Sequence, residues 1–67
     1  MSGQAQRACD KWNRQNKIGD VVILKRDSGT EETVTTRTDA FVCNAGYPVI
    51  FLNGVRGYYL LERVRPA

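Results

Sequence analysis

Pro48-Val49-Ile50-Phe51-Leu52-Asn53-Gly54-Val55-Arg56-Gly57-Tyr58-Tyr59-Leu60-Leu61 sets an Asn-Gly pair between two runs rich in β-branched and aromatic residues. Such a pair is the strongest short-range signal for a two-residue β-hairpin, because both central residues of a type I′ turn need positive φ. The stretch predicts a turn at Asn53-Gly54, one arm over residues 48–52 and a second over residues 55–59. Gly57 within the second arm predicts a bulge or a sharp bend.

Upstream, short strands and turn signals alternate. Residues 40–43 (Ala-Phe-Val-Cys) predict a short strand with Phe41 or Val42 inward, and Asn44-Ala45-Gly46 a turn before Pro48. Pro48 suits the first position of a strand, where no ladder donor is required. Residues 31–38 have high β propensity but one strongly apolar position, Val34, and read as an edge or solvent-facing strand carrying Glu31, Glu32 and Arg37. Asp27-Ser28-Gly29 predicts a hairpin turn, and the apolar run Val21-Val22-Ile23-Leu24 a buried strand. Downstream, Leu60-Leu61-Glu62-Arg63-Val64 predicts one helical turn feeding a last short strand.

The front of the chain reads differently. Ala5, Ala8, Cys9 and Trp12 recur at i, i+3, i+4 and i+7, so residues 5–16 predict a helix with one apolar stripe, after a flexible leader at residues 1–4. Arg7, Lys11 and Arg14 lie on roughly the opposite face. A helix this short is not stable alone, so Trp12 must dock on the strands.

At 67 residues the chain is one domain, with a core too small to enclose a deep active site. Hydrophobic content of 42% with 25% charged residues argues against disorder. Net charge is +3, unevenly spread: residues 1–17 carry +3, residues 18–52 carry −2 and residues 53–67 carry +2. Cations at both ends would form one patch if the termini meet.

Mainly β, the expected fold is a small five-stranded antiparallel barrel over residues 17–65 preceded by the helix. Two stretches resemble the SH3-like barrel proteins. Lys17-Ile18-Gly19-Asp20-Val21-Val22 is similar to the opening of many such barrels, where Gly-Asp precedes the first strand. Gly57-Tyr58-Tyr59-Leu60-Leu61-Glu62-Arg63-Val64 is similar to their ending, where a short helical turn feeds the last strand. In compactness the chain resembles small barrel proteins of bacteria, prophages and phages. The fold alone selects no function; the small core, the edge strand and an aromatic–Arg patch point to a small non-enzymatic binding module, an accessory protein of phage or mobile-element type. Binding of Pro-rich peptides, as in signalling SH3 domains, is not implied, because the only tryptophan, Trp12, precedes the first strand.

Chemistry-bearing constellations are sparse. There is no histidine, and Cys9 and Cys43 have no Cys-x-x-Cys spacing, so neither metal nor cofactor is expected, nor an enzyme or a small-molecule substrate. Both cysteines read as small buried hydrophobes in a reducing, cytoplasmic setting, and no apolar run suggests a membrane span. The candidate partner-binding surface is Arg37, Tyr47, Arg56 and Tyr58, since Arg beside Tyr suits an interface anchor. It would serve a protein partner or self-association. The alternative is a DNA- or RNA-binding surface from Arg7, Lys11, Arg14, Arg63 and Arg65 with Arg56.

Overall fold

A computed structural model describes residues 2–67. A helix α1 (Ser2–Gln15) is followed by β1 (Val21–Lys25), β2 (Glu31–Thr35), β3 (Phe41–Val42), β4 (Pro48–Phe51), β5 (Tyr58–Leu60), a single 3₁₀ turn (Leu61–Arg63) and β6 (Val64–Pro66). The helix starts earlier than its apolar stripe suggests: Ser2, Gly3 and Gln4, expected in a flexible leader, form its first turn, and Met1 lies outside the described residues.

The strands form two three-stranded antiparallel sheets, ordered β2-β1-β6 and β3-β4-β5. The expected helix and mainly β fold are present, but the strands number six in two sheets rather than five in one barrel, and they do not close. Strand β5 pairs only with β4 and β6 only with β1, and the 3₁₀ turn between them carries the chain from one sheet to the other. The sheets meet elsewhere. Thr36 bridges Leu52, the Arg37 amide donates to the Phe51 carbonyl at 3.0 Å, and the Asn53 amide donates to the Thr35 carbonyl at 2.9 Å.

The Asn-Gly hairpin exists with a different turn. Register runs Val49↔Leu60, Ile50↔Tyr59 and Phe51↔Tyr58, so the connection spans residues 52–57 rather than two residues. Gly54 has φ +79° while Asn53 keeps negative φ, which fits a type II pattern and excludes type I′. The cause is Val55, only 7% exposed. Burying it draws the chain off the ladder, and Gly57, at φ +72°, returns it to β5.

The other two hairpins follow their local chemistry, and with the same wiring. The Arg26 amide donates to Thr30 and Gly29 to Arg26; the Cys43 amide donates to Tyr47 and Gly46 to Cys43. In each, the turn glycine takes positive φ.

Between the sheets lie Val22, Leu24, Ala40, Ile50, Leu52, Val55, Leu61 and Val64, with Cys9 entering from the helix. Ala5 and Cys9 are buried and Trp12 packs against this cluster, so the predicted stripe is the docked one. Asn13 fastens the helix further: its side-chain amide donates to the Ala40 carbonyl at 3.0 Å and its oxygen accepts from the Ala40 amide at 2.9 Å. Among the described residues Thr36 is the buried polar one; its hydroxyl donates to the Lys17 carbonyl at 3.2 Å and accepts from the Gly19 amide at 3.0 Å. No described helix is long and apolar enough to cross a membrane.

Candidate functional site

Antiparallel register places Phe41 opposite Val49 and Phe51 opposite Tyr58. Since alternate residues share a face, Phe41, Phe51 and Tyr58 stand together on one face of the second sheet. Ile50 and Val42 point the other way, toward the core. Of the two expected inward residues at 41 and 42, Val42 is the one that packs inward, and Phe41 stays 37% exposed.

The three rings touch. Phe41 and Phe51 stack with centroids 5.7 Å apart, and Tyr58 meets both edge-on, at 6.4 Å and 5.9 Å. Arg37 lies over Phe51 with its guanidinium carbon 5.0 Å from the ring centroid. Such aromatic and cation–π contacts each contribute about 0.5–1.5 kcal/mol beyond burial. The cluster is therefore held in place before any partner arrives.

Two open grooves meet at Tyr58. One, about 330 Å³, is lined by Phe41, Val42, Cys43, Asn44, Phe51 and Tyr58 and contains no charged side chain. The other, about 360 Å³, is lined by Asp27, Arg56, Tyr58, Tyr59, Leu60 and Arg63. Cys43 and Tyr58 both line the first groove. Hydrogen bonding from the Tyr47 backbone, with further donors including Tyr58, holds the Cys43 thiol below its usual range against partial desolvation. The same bond to Cys43 pushes the Tyr58 hydroxyl up. Both cysteines are free thiols, Cys9 buried and Cys43 half-buried.

The expected partner surface is only partly assembled. Arg37 and Tyr58 are joined through Phe51, and Arg56 reaches the same area through the second groove. Tyr47 does not join them. Although 58% exposed, it lies beside Gln4, Ala5, Gly46 and Pro48 at the start of the helix. Phe41, Phe51 and Cys43 belong to the surface although sequence reasoning did not place them there. Aromatic residues in both arms of the hairpin, Phe51 and Tyr58, hint at Phe51, but Phe41 is found only through the β3–β4 register.

The expected basic patch also divides. Arg65 makes a two-pronged ion pair with Glu31, at 3.0 and 3.1 Å, and Arg63 approaches Asp27 at 3.6 Å. Arg7, Lys11 and Arg14 are exposed on the helix, and none takes part in an ion pair among the described residues. The helix packs on β3 and β4, whereas Arg65 sits in β6 beside β1.

Comparison with known proteins returns no match, whether to protein-family models, to curated proteins or to solved structures.

Proposed function

We propose that this chain is a non-enzymatic protein-interaction module whose contact surface is the outer face of the second sheet, centred on Phe41, Phe51 and Tyr58 with Arg37 and Arg56 at its margins. One observation carries the reading: three aromatic rings packed against one another on an exposed face, with an arginine over one of them. Aromatic and arginine side chains fixed in this way are the usual anchors of protein interfaces.

Nucleic acid is the second reading, supported by the exposed, unpaired Arg7, Lys11 and Arg14 among the described residues. It is the less favoured one. Base stacking needs an open ring face, and Phe51 is already engaged by Phe41, Tyr58 and Arg37. Arg65, expected to hold phosphates, is instead held by Glu31.

The fold reading that accompanies this proposal is a small SH3-like barrel of the bacterial, prophage or phage type. Its support is the isolated bridge from Thr36 to Leu52, which brings the end of the first sheet against the end of β4. A cytoplasmic setting is part of the proposal and suits the free thiols of Cys9 and Cys43.

Photocrosslinking tests the function. A benzoyl-phenylalanine in place of Phe41 is expected to give a defined protein adduct in cells, and the same probe in place of the exposed Thr33 on the first sheet is not. Adducts to nucleic acid, or equal adducts at both positions, would reject the proposal. A dimer of the chain itself would make the partner a second copy.

A further inference from the structure

Tyr58 lines both grooves, so one ligand lying across it would touch both. The two sides differ in chemistry. On one side the walls are Phe41, Val42, Phe51 and the rims Cys43 and Asn44, with no charge. On the other stand Arg56 and Arg63 with a single carboxylate, Asp27. Arg56 takes part in no ion pair among the described residues, and neither does Arg37 at the far margin over Phe51. Asp27 is a loose partner for Arg63: the contact is 3.6 Å long and the Asp27 side chain is 86% exposed. An incoming carboxylate can therefore replace it at small cost, since exposed pairs of this kind contribute little.

From this apolar-then-cationic sequence across a single tyrosine we infer that the occupant is an extended peptide of a partner protein, placing an apolar side chain among Phe41, Phe51 and Tyr58 and a carboxylate on Arg56. Backbone geometry agrees. Strand β5 pairs with β4 on one side only, leaving an edge along which an extended chain can run, and side chains two apart on that chain fall on the same face. A nucleic-acid strand would supply anionic phosphates to Arg56 but no aliphatic side chain to the uncharged groove.

The inference rests on the protein-interaction reading above and fails separately from it. Random linear peptides displayed on phage are selected against the full chain, and the consensus peptide is measured by fluorescence anisotropy. Enriched sequences are expected to pair an apolar residue with Asp or Glu a few positions away. Arg56→Glu should weaken the consensus peptide about tenfold, and exchanging the peptide's acids for lysine should restore binding to that variant. Tyr58→Ala should abolish binding, with thermal melts showing that both variants stay folded. No enrichment, enriched peptides lacking a carboxylate, or an Arg56→Glu effect within about twofold would overturn the inference. So would an oligo-thymidine probe that binds through Tyr58 when the peptides do not. If the crosslink at position 41 survives Arg56→Glu while Tyr58→Ala removes it, the interaction face stands and the acidic peptide falls.

Discussion

Thr36 shows how much one side chain settles in so small a molecule. It is 2% exposed, and its hydroxyl serves both the Lys17 carbonyl and the Gly19 amide, so the turn entering β1 is tied to the end of β2. Thr36→Val keeps the shape but leaves the Lys17 carbonyl without that donor. A loss of about 1–3 kcal/mol in urea-unfolding stability is expected, against near neutrality for Thr33→Val on the exposed face. The sequence places Thr36 correctly in a β-prone run but does not distinguish it from Thr33, Thr35 or Thr38. Which threonine turns inward depends on the pairing of Thr36 with Leu52, a contact sixteen residues distant in sequence. Val55 makes the same point in reverse. Asn53-Gly54 is a correct turn signal, and a two-residue hairpin would follow from it alone; burial of the next apolar side chain overrode the local preference.

Among the elements, the helix is the one that must be held by side chains. It shares no ladder with either sheet, and its contacts fall on β3 and β4. Asn13 substitutes for a strand by giving Ala40 both a donor and an acceptor. Asn13→Ala should cost about 1–3 kcal/mol, and hydrogen exchange should rise in residues 2–15 more than in β1. Uniform acceleration across the chain would show instead that helix and sheets open as one unit. The apolar stripe made the helix and its docking face readable from sequence. Its partner Ala40 was not, because one alanine in a short run carries no sign of a hydrogen bond to a helix. The candidate surface divides similarly. Tyr58 and Arg37 could be picked out as exposed anchors, but their joining through Phe51 needs the register between β4 and β5.

For the molecule as a whole, charge is arranged by pairing more than by segment. The acidic middle of the chain meets the basic end: Glu31 holds Arg65, and Asp27 approaches Arg63. Arg65 keeps the Glu31 carboxyl below its ordinary value, chiefly by hydrogen bonding and then by its charge. A carboxylate whose folded value is depressed stabilises the fold fully above its unfolded value, about pH 4.3, and loses that contribution as pH falls through the folded value. Urea midpoints measured between pH 6 and pH 2 should therefore fall less steeply for Arg65→Ala than for the wild type, and the difference should shrink in high salt. A steeper fall in the variant would show that Arg65 is not what depresses Glu31.

Strand β6 lies against β1, so the earliest strand of the chain is completed by the last. During synthesis, β1 and β2 can form their hairpin while the C-terminal residues are still inside the ribosome, but one flank of β1 stays bare until residues 64–66 emerge. That interval is when a nascent chain is most open to strand capture by a neighbour.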